Sequence, residues 1–323
     1  MRMLSGVQPS GELHVGNYFG AFKQFVDLQA EEHEGYYFVA NFHALTTIRD
    51  RAAMRQRTLE VAMAFLACGL DPQRSVLFVQ SDIPEVTELT WLLSTVTPMG
   101  LLQRCHAYKE KTAEGISADH GLFAYPVLMA ADILIYDSDL VPVGQDQKQH
   151  VEVTRDIAIK FNETYGDVFK LPAPKILPEV AVVPGTDGRK MSKSYGNVIT
   201  LFADEKQTKR EVMAIVTDST PVEAPKDPEA CTLFAIFRLF APEDERAEVK
   251  RRYREGGAAY GTIKKRLVEL VNGYFRPARE RYNELAADPD RVRDILRDGA
   301  QRARSVAQVT LERAREACGM LPR

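Results

Sequence analysis

Short continuous apolar runs recur along the first part of the chain at residues 3–7, 36–40, 76–79 and 140–143, with a weaker one at 180–183. Runs of this length between turn residues read as strands buried on both faces. Between them lie longer stretches with helical spacing, at residues 17–30, 51–68, 86–96, 122–136 and 147–162. In the first of these, Tyr18, Ala21, Phe22, Phe25 and Val26 share one face. Strands alternating with helices predict an α/β fold, a doubly wound parallel sheet covered on both sides. Beyond Asn197 the pattern changes. Residues 205–216, 231–240, 243–255, 262–287 and 291–318 read as helices separated by Pro or Gly, with few strand signals among them. Pro221, Pro225 and Pro228 mark an exposed loop. Two domains are expected: an α/β domain over 1–188 and a C-terminal all-helical domain over 189–323.

In an open parallel sheet, ligands sit outside the carboxyl ends of the strands. The loop after the first strand, Gln8-Pro9-Ser10-Gly11-Glu12-Leu13-His14-Val15-Gly16-Asn17, falls there. Strand, Gly-rich loop and helix form a phosphate-binding layout, because helix-start amides and the helix dipole face the ligand. Gly16 removes a side chain where a flat base can approach the backbone. His14 and Asn17 add donors on one side of the first turn. A second candidate is Lys190-Met191-Ser192-Lys193-Ser194, which follows the glycine-flanked turn at 184–188 and holds two lysines and two hydroxyls. A cationic loop of this kind suits a polyphosphate and a departing pyrophosphate. Taken alone, either segment is equally a cap or a solvated loop.

Tyr125, Met129 and Asp132 share a helical face in apolar surroundings. A buried Asp is costly unless donors meet it. Two readings stand: a core carboxylate held by backbone amides, or an acceptor for a substrate N–H. An indole offers one such donor and no acceptor.

Composition narrows the class only slightly. The 323 residues are 45% hydrophobic and 27% charged, with a formal net charge of −3. This is ordinary for a soluble globular protein, so any nucleic-acid contact must use a local basic surface. Arg246, Lys250, Arg251, Arg252 and Arg254 form one such cluster, though Glu243, Asp244, Glu245, Glu248 and Glu255 accompany them. The cysteines, Cys68, Cys105, Cys231 and Cys318, are too far apart in sequence for a zinc or redox pair. No apolar run reaches the roughly 18 residues of a membrane span, and no signal peptide is seen. A cytoplasmic protein without a membrane or DNA partner is expected.

Together the two segments become specific. His14-Val15-Gly16-Asn17 resembles the HIGH signature of class I aminoacyl-tRNA synthetases, and Lys190 to Ser194 is their KMSKS signature letter for letter. From Leu4 to near the C-terminus the chain resembles the bacterial-type tryptophanyl enzymes, and Asn17 in place of the last His is usual among them. The run Gly144-Gln145-Asp146-Gln147-Lys148-Gln149-His150 with Thr154-Arg155-Asp156 resembles their GEDQKQH…TRD segment, with Gln145 for the usual Glu. Leu4 and Gln8 stand where the tyrosyl enzymes generally carry Tyr and Asp.

The resemblance implies a Rossmann-like catalytic domain and a helical anticodon-binding domain whose last long helix packs back on the first. It implies activation of L-tryptophan by ATP, with Mg²⁺, then transfer to tRNA(Trp), in a homodimer. By the same resemblance, His14, Lys111, Lys190 and Lys193 are the catalytic group. Gln8, Pro9, Ser10, Gly16, Asn17, Gly144, Gln145, Asp146, Val183, Met191, Ser192 and Ser194, with the two signature lysines, bind ATP. Leu4, Gly6, His43, Tyr125, Met129, Asp132, Val141, Val143 and Gln147 receive tryptophan. No residue is assigned to a protein-bound metal. Ala107 departs from the usual Gln. The rival readings are a tyrosine-specific synthetase, a small-molecule nucleotidyltransferase sharing the first loop, and a synthetase paralogue kept as a regulatory partner.

Overall fold

The computed structural model describes residues 1–31, 33–105, 119–144, 148–176 and 183–322. Five parallel strands, β1 (Arg2–Val7), β2 (Glu34–Val39), β3 (Val76–Val79), β4 (Leu140–Val143) and β5 (Ala173–Ile176), form one sheet in the order β3-β2-β1-β4-β5. Leu4 pairs with Tyr36 and Gly6 with Phe38, while Val39 pairs with Val79. The chain leaves β1 toward β2 on one side and returns as β4 on the other. The switch point therefore opens at the carboxyl end of β1.

Four strands lie where the apolar runs placed them. The fifth does not: β5 is Ala173–Ile176, not the run at 180–183, of which 180–182 lie outside the described residues. Ala-Pro-Lys-Ile carries no apolar signal because it is a half-exposed edge strand, the position where a sheet tolerates proline. The first helix also differs. A five-residue π turn, Tyr18–Phe22, separates Val15–Asn17 from Lys23–Gln29. The wider turn shifts the phase, so Phe19, Phe22, Phe25 and Leu28 are the buried set, and Tyr18, Ala21 and Val26 are only half-buried.

Successive residues of β2 point to opposite faces, and each face has its own core. Tyr37 and Val39 pack with Phe22, Phe65, Ile199, Leu233, Phe237 and Phe275. Tyr36 and Phe38 pack with Phe78, Tyr136, Ile157 and Phe161, and with Ala303 and Ala307 of the last helix. The first of these cores joins residues from both sides of position 188. Helices Glu205–Met213, Thr232–Phe240, Glu243–Glu255, Tyr260–Ala287 and Pro289–Ala317 build the C-terminal half. Their starts obey local chemistry: Asp204 caps the first by accepting from Gln207 N, and Asp288 caps the last, which has Pro at its first position.

The helix Pro289–Ala317 runs along β3 and the helix Glu85–Ser94. Arginines fasten it there: Arg302 Nη1 donates to Pro72 O at 2.8 Å, Arg304 Nη2 to Glu85 Oε1 at 2.7 Å and Arg313 Nη2 to Asp137 Oδ1 at 2.6 Å. Contact is closest at Gly299, where a Cβ would stand 1.8 Å from Leu77 O. Gly299→Ala is expected to destabilise the fold by about 1–2 kcal/mol, since the backbone clash outweighs the roughly 1 kcal/mol gain in helix propensity. An undiminished melting temperature would show that the helix shifts at no cost.

Candidate active site at the carboxyl ends of the strands

A cavity of 310 Å³ lies where β1, β2 and β4 end, closed by the helix His120–Leu134. Its size is at the small end for ligand sites. Leu4, Gly6, Val141 and Val143 line it from the strands, and Tyr125, Met129 and Asp132 from the helix, with His43 from the segment after β2. All of the described residues assigned to the amino-acid pocket therefore come together; Gln147 lies outside the described residues. Gly6 has a packing reason to be glycine: a Cβ there would meet Phe38 Cζ at 2.6 Å.

Asp132 is 3% exposed and, among the described residues, is held by side chains and not by backbone amides. His43 Nε2 lies 2.9 Å from Oδ2, and Gln80 Nε2 donates to Oδ1 at 3.0 Å and Oδ2 at 2.8 Å. The Gln80 amide is oriented by its other end, since Oε1 accepts from Phe42 N at 3.0 Å. Burial pushes the Asp132 carboxyl above its usual range, while His43 and Gln80 pull it down. Four lone-pair sites are available on a carboxylate, so further acceptor capacity remains. Apolar walls around one buried acceptor suit a flat aromatic ring bearing a single N–H.

Sequence reading missed Gln80. Its signal was available, because a polar residue directly after an apolar strand sits at the ligand end of a parallel sheet. Phe38 and His150 also line the cavity, and the Tyr125 ring stands edge-on to both His43 and His150.

Gln8 and Gly144, both expected to bind ATP, line the same cavity, so the loop after β1 and the end of β4 both border it. Gln145 and Asp146, and also Lys111 and Ala107, lie outside the described residues. Asn17 Oδ1 accepts from the His14 backbone N–H at 3.0 Å, so Asn17 braces its own loop. His14 Nδ1 is buried and finds no hydrogen-bond partner among the described residues. Burial lowers the imidazole to about 4, so His14 is neutral at physiological pH. At Gly16 a Cβ would lie 2.9 Å from His14 Nδ1 and 3.5 Å from Met191 Cβ.

That last contact joins the two signature segments. Val15 N donates to Ile199 O and Leu201 N to Leu13 O, each at 2.9 Å, zipping the loop after β1 to the strand-like stretch behind the lysines. Met191 is buried and its N–H bonds Val183 O at 3.1 Å. Lys190, Lys193 and Ser194 are exposed and Ser192 half-buried; Pro9 is buried and Ser10 exposed. None of these lines the apolar cavity. Lys193 instead lies over the first loop, within 3.2 Å of where a Gly11 Cβ would be, and lines a separate polar cavity of 540 Å³ with Glu12 and Arg57.

On the helix Glu243–Glu255 the basic cluster is largely ion-paired. Lys250 meets Glu229 at 2.6 Å, Arg251 meets Glu248 at 3.0 Å and Glu255 at 2.7 Å, and Arg252 meets Glu248 at 2.7 Å. Such exposed pairs are weak and can exchange for phosphate.

A family model described as tRNA synthetases class I (W and Y) matches residues 1–276. The tryptophan–tRNA ligase of Rhodopirellula baltica is 57% identical over 320 residues, covering 99% of this chain and 100% of its own. That of Campylobacter jejuni is 54% identical over the same share. The crystal structure of the Campylobacter jejuni tryptophanyl-tRNA synthetase, complexed with ADP and tryptophan, superposes with a TM-score of 0.92 at 53% identity, covering 99% and 100% of the two chains. Matched from its first strand into its helical half, and more than half identical to such relatives throughout, this chain belongs to the class I tRNA synthetases of the tryptophan and tyrosine group.

Proposed function

We propose that this chain activates L-tryptophan with ATP, releasing pyrophosphate, and transfers the tryptophanyl group to the terminal ribose of tRNA(Trp). The observation that carries this reading is the buried Asp132, held by His43 and Gln80 beneath apolar walls, beside the joined signature loops. The ligand of the Campylobacter jejuni structure and the names of both curated relatives point to the same substrate.

The tryptophan carboxylate attacks the α-phosphorus and pyrophosphate leaves. Catalysis is positioning plus charge stabilisation. Asp132 accepts the indole N–H, and Leu4, Val141 and Val143 flank the ring. Gln8, Gly16, Asn17 and neutral His14 hold the nucleotide through neutral donors and helix-start amides. Lys190 and Lys193 offer fixed positive charge to the departing pyrophosphate. Mg²⁺ bound to the triphosphate, its usual partner, would share that charge.

A tyrosine substrate is the second reading, since the family includes it. Leu4, 1% exposed on the cavity wall, offers no group to a phenol hydroxyl. ATP–pyrophosphate exchange tried with each amino acid decides: tryptophan-dependent exchange is expected, and exchange driven by tyrosine in its place overturns the reading. Charging of tRNA(Trp) is expected to weaken with salt as phosphate contacts release counterions.

A homodimer in the cytoplasm completes the proposal. Among the described residues no helix is long and apolar enough to cross a membrane. Trp91, the chain's single tryptophan, is 69% exposed on the helix Glu85–Ser94. Beside that helix lies a groove of 390 Å³ lined by Leu45, Thr87, Thr90 and Leu128. The exposed Trp91 ring beside this groove is the proposed association site. Trp91→Glu is expected to sediment as a monomer; a wild-type dimer unaffected by the change would place the interface elsewhere.

A further inference from the structure

We infer that Asn197 is the positioning residue of the signature loop, a single buried amide that fastens both ends of the loop and so sets where Lys190 and Lys193 stand over the triphosphate. The inference rests on the activation reaction proposed above, and concerns a residue outside the signature itself.

The two lysines are exposed, so their own side chains do not anchor the loop, and packing acts only through the buried Met191 between them. Asn197 is 2% exposed. Its Nδ2 donates to Asp187 Oδ1 at 2.6 Å, ahead of the signature, and to Lys190 O at 3.1 Å, inside it. Its Oδ1 accepts from Ser192 N at 2.8 Å, and its backbone O accepts from Thr186 N at 2.9 Å. Both amide protons are therefore used, and the carbonyl is engaged as well. One side chain ties residues 187, 190 and 192 together, directly on either side of Met191 and immediately before Lys193.

The surroundings are shaped for that side chain. At Gly185 a Cβ would stand 2.1 Å from Asn197 Nδ2 and 2.2 Å from its Cγ. Gly196, at φ 63°, turns the chain back from the 3-10 turn Lys193–Tyr195 into the socket, a conformation that favours glycine. Asp187 links the amide outward. Its Oδ1 also accepts from Arg189 N at 3.0 Å and its Oδ2 from Arg189 Nε at 2.7 Å, and the Arg189 guanidinium lies 4.3 Å from the centre of the Tyr195 ring. The Asn197 bond, then those from Arg189, hold the Asp187 carboxyl below its ordinary range. The result is a closed polar buckle beneath the lysines, remote from the apolar cavity that Asp132 floors.

This geometry separates rate from tryptophan binding. Misplacing a charge donor by about an ångström costs on the order of 100-fold in rate. Asn197→Ala is expected to lower the kcat of tryptophan-dependent pyrophosphate exchange by about 100-fold, with the tryptophan dissociation constant, measured by equilibrium dialysis, unchanged. Gly185→Ala should do the same, by displacing the Asn197 amide without removing any polar group. Asn197→Asp sets two carboxylates against each other, and adding Asp187→Asn restores a donor between positions 187 and 197, though not the bond to Lys190 O. The double variant is expected to recover part of the lost rate.

Wild-type kcat in Asn197→Ala or Gly185→Ala overturns the inference. So does a parallel fall in tryptophan affinity, which would mark a general structural role. Should Asn197→Ala fail to fold, the reciprocal pair decides: recovery over Asn197→Asp alone supports the buckle, and no recovery overturns it. Absence of exchange in the wild-type protein would overturn the functional reading instead, so the two failures are distinct.

Discussion

Lys193→Ala is expected to lower the rate of tryptophan activation by roughly 3 kcal/mol, about 150-fold, while the Michaelis constant for tryptophan stays near its wild-type value. The split follows from location. Lys193 lines the polar cavity beside Glu12 and approaches Gly11, and it has no part in the apolar cavity that holds Asp132. A charge aimed at departing pyrophosphate acts in the transition state, so its loss falls on kcat. Lys193→Arg should recover only part of the rate, because a planar guanidinium does not reproduce the reach and geometry of an ammonium. Stopped-flow measurement of adenylate formation checks this. A loss confined to the tryptophan Michaelis constant would remove Lys193 from the catalytic group.

Asp132→Asn should weaken tryptophan use by about 1–3 kcal/mol, a factor of roughly 5 to 150 in kcat/KM. The loss has two sources. One is the substrate N–H, which meets a weaker, neutral acceptor. The other is internal: Gln80 Nε2 donates to both carboxylate oxygens, so the new NH₂ must face it in either orientation, and in one orientation faces His43 Nε2 as well. His43 can exchange tautomers to accommodate it. Gln80 cannot turn without releasing Phe42 N from its Oε1. Gln80→Leu should therefore also impair tryptophan use, and less than additively with Asp132→Asn, since the two share one network. Unchanged exchange in Asp132→Asn would make the carboxylate structural and move the acceptor elsewhere.

The ion pairs on the helix Glu243–Glu255 temper the role of its arginines. Arg251 and Arg252 share Glu248 and would have to release it before either could add to RNA affinity. A salt titration of charging, set against exchange in the same buffers, separates that surface from the activation site.

Local chemistry made much of this protein legible in the sequence. Strand and helix positions follow from side-chain periods of 2.0 and 3.6, which need no knowledge of neighbours. The two signature segments, and the helical face of Tyr125, Met129 and Asp132, were visible for the same reason: their members are close in sequence. Two local features were misread because a partner decided them. The edge strand Ala173–Ile176 is ordered by pairing with β4, not by its own composition. The π turn at Tyr18–Phe22 changed which residues are buried.

The tertiary structure alone decided who meets whom. Asp132 meets Gln80, 52 positions away, and His43, 89 positions away, because the sheet brings the ends of β2 and β3 together over one helix. The loop after β1 is joined to residues 199 and 201 through Val15 N and Leu13 O, a pairing invisible from either segment. Each of these contacts spans a long loop of chain, and its geometry is set by packing across the sheet. A linear pattern records which residues prefer burial or turn; it holds no record of the distance between side chains that only the folded sheet makes neighbours.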